Sequence, residues 1–132
     1  MGKRNVDDYV KKQYAIETLK WCKSFFGLNE RKRTKLVLEF THRPRRIKKH
    51  IVFGNYCFWR NKITIYLPHC ESIEDIVSTM IHEYTHYLQS RPKYQEYQFN
   101  YYYSTNPYER EAKRNEEKYT KFCIKEIKNL ID

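Results

Sequence analysis

The segment from Ser72 to Leu88 constrains this chain more than any other. Ser72-Ile73-Glu74-Asp75 has the form of a capping box, with an acid three residues after the N-cap serine. Ile73, Ile76, Val77, Met80, Ile81, Tyr84 and Leu88 then recur at helical spacing, which predicts a helix that stops before Pro92. His82 and His86 fall outside that stripe, on the adjoining face with Ser78, Thr79 and Gln89. One face can therefore anchor the helix in a core while another lines a cleft edge.

His82-Glu83-Tyr84-Thr85-His86 is an H-E-x-x-H sequence. Residues four apart on a helix lie one turn above each other, so the two imidazoles can hold one tetrahedral zinc and leave further positions open. Glu83 lies about 100° around the helix from His82, where its carboxylate reaches a water on the metal rather than the metal itself. A zinc that does chemistry usually has three protein ligands. No histidine follows His86, and the only downstream aspartate is Asp132, so the third ligand is expected to be a glutamate. Glu96 falls in an expected loop, whereas Glu109 and Glu111 open the last helix. Glu111 is preferred because Ala112 beside it lets the two helices approach closely, and Asn115 one turn on can orient a ligand. Glu109 has Lys113 one turn on and reads as an exposed ion-pair residue, although either helix face stays open.

The remaining segments predict an α+β fold in a single domain over residues 1–132. Asp7 or Asp8 caps a first helix to about Phe26, with Gly27 as its stop and Ala15, Ile16, Leu19, Cys22 and Phe26 as its buried stripe. Extended pieces follow at 35–40, 51–53, 56–59 and 63–67. Gly54-Asn55 reads as a turn and Pro68 as a terminator, giving a small antiparallel sheet of three or four strands. Residues 93–105, rich in Tyr, Gln and Asn, read as a long loop. Asn106-Pro107 opens the last helix, with Ala112, Tyr119, Phe122, Cys123, Ile127 and Leu130 as its packing face.

Charge is unevenly placed. Residues 1–50 hold fifteen Lys and Arg against five Asp and Glu, whereas residues 51–132 hold eleven of each, so the first part carries the whole net charge of +10. Arg43, Arg45, Arg46, Lys48 and Lys49, near the aromatics Tyr56, Phe58 and Trp59, form a candidate surface for nucleic acid or another acidic partner. A solvated basic face is the plainer alternative. Cys22, Cys57, Cys70 and Cys123 form no C-x-x-C pair and are expected to be reduced and mostly buried. The N-terminus lacks the apolar core of a secretory signal, Gly2 lacks the Ser or Thr at position 6 that myristoylation wants, and no apolar run is long enough for a membrane span, so a cytoplasmic protein is expected.

HEYTHYLQ, with NPYEREA after it, resembles the gluzincin branch of zinc metallopeptidases and, more narrowly, small metallopeptidase-like proteins encoded by bacteriophages. The resemblance covers residues 51–115. It implies a minimal zincin-like fold and zinc held by His82, His86 and Glu111. Glu83 would be the general base in hydrolysis of a protein or peptide substrate, and one of Tyr101, Tyr102, Tyr103 or Tyr108 would steady the oxyanion. A phage setting implies the host cytoplasm or a virion assembly. The alternative expectation is a virion-associated or nucleic-acid-binding structural protein that retains the fold with little or no turnover.

Overall fold

In the computed structural model, which describes residues 7–131, a central helix packs between a small sheet and two further helices. Gly2 and Asp132 lie outside the described residues. The first helix, α1 (Asp8–Phe25), is capped by Asp7, whose carboxylate accepts from the Tyr9 amide at 2.7 Å. Gly27 follows its C-terminus at φ +86°, a left-handed conformation that glycine adopts without steric cost.

Five strands come next: β1 (Val37–Thr41), β2 (Arg46–Ile47), β3 (His50–Ile51), β4 (Gly54–Cys57) and β5 (Lys62–Tyr66). They do not make one antiparallel sheet. β5 is the centre of a mixed three-stranded sheet, with β1 parallel on one side and β4 antiparallel on the other, while β2 and β3 form a separate ribbon. Side-chain alternation specifies which face a strand buries and says nothing of its neighbour or direction.

Two turn assignments change as well. Gly54 opens β4, paired with Ile65, instead of forming a turn, and the lack of a side chain serves close approach, since a Cβ there would sit 2.5 Å from Thr79 Cγ2 and 3.2 Å from the Thr64 carbonyl. The reversal falls at Lys48 and Lys49, both at positive φ (54° and 82°).

The central helix, α2 (Ile73–Leu88), begins where expected. Ser72 Oγ accepts from the Asp75 amide at 3.1 Å, and Asp75 accepts from the Ser72 amide in return. Its Ile76, Val77, Met80, Ile81 and Tyr84 are fully buried against Ile63 and Ile65 of the sheet, Ala15 and Cys22 of α1, and Cys123 and Ile127 of the last helix. Removing these side chains from water is the main force holding the layers together.

The expected loop after α2 contains a ten-residue helix, α3 (Arg91–Asn100), none of whose residues is buried. Pro92 sits in its first turn, where a missing N–H breaks no helical hydrogen bond. A short 3-10 turn (Tyr103–Thr105) leads to α4 (Pro107–Ile131), with Asn106 Oδ1 accepting from the Tyr108 amide at 2.9 Å. The buried residues of α4 are Glu109, Ala112, Thr120, Cys123 and Ile127; Phe122 and Leu130, expected in the packing face, are exposed. All four cysteines are free thiols, three of them buried. No described helix is long and apolar enough to cross a membrane.

Candidate metal centre

His82 and His86 project from the same side of α2, their ring centroids 5.0 Å apart. α4 runs antiparallel beside them, so that its start meets His86 and its next turns meet His82. Ala112, fully buried, is what lets the two helices come this close. The carboxylate delivered to the histidines is Glu109. Its Oε1 lies 2.7 Å from His86 Nε2, and its Oε2 lies 3.4 Å from His82 Nε2. One ligand atom from each of His82, His86 and Glu109 falls within 4.8 Å of the others.

Glu111 is not the third member of this cluster. Ala112 faces α2, and the positions sharing its face are three and four residues away, which includes Glu109 and Glu116 but not Glu111. The Glu111 carboxylate instead accepts from Gln89 Nε2 at 2.7 Å. Asn115 likewise touches no ligand and donates to Thr85 Oγ1. Glu109, expected to be an exposed ion-pair residue, is buried.

Both imidazoles are oriented from behind. His82 Nδ1 lies 2.9 Å from Glu116 Oε1, and His86 Nδ1 lies 2.7 Å from Gln89 Oε1. With Nδ1–H donating to these acceptors, each ring directs Nε2 at Glu109. Against burial, the hydrogen bonds and charges of the surrounding carboxylates raise both imidazoles, His82 to about 10, so Nε2 carries a proton that a metal ion would replace. Gln89 extends one chain further, from His86 through its own amide to Glu111 and to the Tyr108 carbonyl. The sequence places Gln89 on the histidine face without giving it a role, and Glu116 was missed. Spacing could have found Glu116, two turns from Glu109 on the same face.

Glu83 is buried on the sheet side of the pair, with its Cγ 3.4 Å from where a Gly54 Cβ would stand. Burial raises the pKa of its carboxyl, while the His86 and His82 charges and the Tyr56 backbone N–H pull the other way. For Glu109, burial is outweighed by the hydrogen bonds and charges of His82 and His86, which lower its carboxyl to about 2. Its Oε2 is nevertheless a buried oxygen with no well-aligned hydrogen-bond donor among the described residues. Such an atom is costly unless something cationic faces it. Ligands about 2.1 Å from a tetrahedral zinc lie about 3.4 Å from each other. The His82 Nε2–Glu109 Oε2 pair has that separation, whereas His86 Nε2 and Glu109 Oε1, at 2.7 Å, are in direct hydrogen-bond contact and would move apart around an ion. Two imidazoles and a carboxylate also form a donor set that zinc accepts, so the residues present fit a divalent cation.

Two tyrosines border the cluster. The Tyr94 ring stands 5.4 Å from that of His86, and burial and then the charge of Glu109 suppress the acidity of its hydroxyl. Tyr103 is largely exposed as a residue, but its hydroxyl end is screened from solvent and linked to Glu109, which suppresses its acidity in the same way. Of the four tyrosines expected near the chemistry, only Tyr103 carries such a link to Glu109. Tyr101 and Tyr108 pack on Tyr97, and Tyr102 is exposed.

The basic residues lie elsewhere. Arg43, Arg45, Arg46, Lys48 and Lys49 are all exposed, on and around the β2–β3 ribbon. Arg45 is tied to the core sheet by Nη1, which donates to Tyr66 Oη at 2.8 Å. The aromatics expected beside them are placed with other cations: Tyr56 and Phe58 surround Lys32, and Trp59 stacks on Arg91. Comparisons of the chain with family models, with curated proteins and with solved structures gave no match.

Proposed function

We propose that this chain is a zinc-dependent metallohydrolase of gluzincin type, acting on peptide bonds, with His82, His86 and Glu109 as its metal ligands. The observation that carries the reading is the approach of the two Nε2 atoms to the two oxygens of the buried Glu109 carboxylate, His86 to Oε1 and His82 to Oε2, the latter without a well-aligned hydrogen-bond donor among the described residues. Bound zinc supplies a Lewis acid that polarises a carbonyl and makes water acidic enough to attack it near neutral pH. Glu83 accepts the proton of the attacking water and passes it to the leaving amine nitrogen as the C–N bond breaks. Its burial keeps the carboxylate poorly solvated and basic enough for that exchange. Tyr94 or Tyr103 donates a hydrogen bond to the oxygen on which negative charge develops. In this reading α2, the mixed sheet and α4 form a minimal zincin-like fold.

The test is metal content followed by turnover. Purified protein is expected to carry about one zinc per chain, and Glu83→Gln to keep that zinc while hydrolysing an unfolded protein substrate at least about a hundredfold more slowly. Zinc at background levels in the purified wild type would sink the proposal.

A second reading is favoured by the ribbon. No Asp or Glu occurs from residue 40 to residue 70, while Arg43, Arg45, Arg46, Lys48 and Lys49 all lie exposed there. A protruding basic ribbon of this kind suits a nucleic-acid backbone, either as a docking device for the hydrolase or as the main role of a chain with little turnover. Neutralising Arg46, Lys48 and Lys49 together is expected to weaken DNA or RNA binding and flatten its salt dependence; unchanged binding removes this reading.

A further inference from the structure

A second cleft, of about 430 Å³, lies where the 29–34 segment, the β4–β5 turn and the α2–α3 junction meet. Three cations line it: Arg31, Lys32 and Arg91. No carboxylate does, and none of the three forms an ion pair among the described residues. Like charges held close together without a counter-ion repel one another, and an anion between them removes that cost.

Two of the three cations, Lys32 and Arg91, are held in place by aromatic rings. Lys32 Nζ stands 4.6 Å from the Tyr56 ring centroid, 4.5 Å from that of Phe58 and 5.6 Å from that of Tyr87, and it donates to Tyr56 Oη. The Arg91 guanidinium carbon lies 3.2 Å from the Trp59 ring centroid. Charged groups fixed this way lose little side-chain freedom when a ligand arrives, so more of the contact energy appears as affinity. Burial, and then the charge of Arg91, lower the Lys32 ammonium to about 8, which registers both the crowding and the missing counter-ion.

The cleft adjoins the metal centre. Gln89 lines it and also accepts from His86 Nδ1, and Phe58, on its wall, packs 4.5 Å from Tyr94, which packs 5.4 Å from His86. The volume suits one side chain with its flanking backbone, and two guanidinium forks with an ammonium match the planar acceptor of a carboxylate.

We infer that the Arg31–Lys32–Arg91 cleft binds a carboxylate of the peptide substrate, so that the enzyme favours peptides with an acidic residue near the bond it cuts. This inference rests on the metallohydrolase reading for its substrate, but binding can be read without turnover.

The experiment titrates the full-length chain with two peptides that differ only in glutamate against glutamine, following affinity and the Arg and Lys side-chain NMR signals. Hydrolysis of both peptides is measured on the zinc-loaded protein. The glutamate peptide is expected to bind about tenfold more tightly and to shift the Arg31, Lys32 and Arg91 signals. Arg31→Gln and Arg91→Gln together should reduce the preference to less than about twofold, whereas Arg46→Gln with Lys48→Gln should leave it intact. Equal affinities, or a preference abolished by the ribbon variant, would overturn the inference. So would displacement of both peptides alike by inorganic phosphate with no preference between them, which reassigns the cleft to a free oxyanion. Acidic preference in binding without hydrolysis of either peptide leaves the cleft standing and removes the hydrolase, while hydrolysis without preference does the reverse.

Discussion

Glu116 Oε1 lies 2.9 Å from His82 Nδ1, on the side of the ring away from Glu109. A carboxylate in that position fixes the imidazole tautomer and makes Nε2 a stronger donor. Glu116→Ala is therefore expected to weaken zinc binding by about 10- to 100-fold while the circular dichroism spectrum stays unchanged. Competition against a chromogenic chelator measures it, and an affinity equal to the wild type would show the contact to be incidental.

Glu109 and Glu111 are two residues apart and are expected to behave differently. Glu109→Gln removes the proposed ligand and should leave the protein with little zinc after dialysis. Glu111→Gln loses only the carboxylate that receives Gln89 Nε2, so it should retain the metal with a modest loss of affinity. Metal analysis of both variants decides the assignment, and the opposite ranking would return the ligand role to Glu111.

Gly54→Ala sets a methyl group 2.5 Å from Thr79 Cγ2 and 3.2 Å from the Thr64 carbonyl. Overpacking of this kind costs about 1–3 kcal/mol. Denaturant unfolding should show that loss, and Thr79→Ser, which removes the clashing methyl, should recover part of it in the double variant. A fully additive double variant would mean that the strand shifts rather than the side chain.

The Lys32 ammonium is lowered to about 8 in the folded chain from an ordinary value of 10.5, by burial and then by Arg91. Between those values the unfolded chain binds the proton that the folded chain has released, so stability rises with pH across that window. Thermal unfolding from pH 7 to pH 10.5 is expected to show this gain in the wild type relative to Lys32→Met. Parallel pH profiles for the two proteins would contradict it.

The parts of the fold with strong local chemistry were legible in the sequence. Ser72 and Asp75 announce the start of α2, Asn106 and Pro107 that of α4, and Asp7 and Gly27 mark the two ends of α1. α3 was not, because a helix that buries none of its side chains carries no apolar period to read. Glu109 and Glu111 both open α4, and the sequence alone leaves either one free to face α2, while nothing local to Glu116 marks it as a histidine partner. The face is set by spacings of three and four, and Glu109, Ala112 and Glu116 follow that rule. Gly54 looked like a turn because a glycine needed for close approach to another element has the same local signature as one needed for reversal.

The lack of any buried residue in α3 also bears on how this chain can diversify. α3 spans the gap between α2 and α4 and is secured at its start, where the Ser90 amide donates to Tyr108 Oη and Gln89 Nε2 to the Tyr108 carbonyl. Apart from Tyr94 and Tyr97, whose rings pack on His86 and Tyr108, replacements within residues 93–100 disturb no buried residue, so this segment can vary while α2 and α4 keep their grip on each other. In the proposed hydrolase, substrate range would change through this bridge while His82, His86 and Glu109 keep their places.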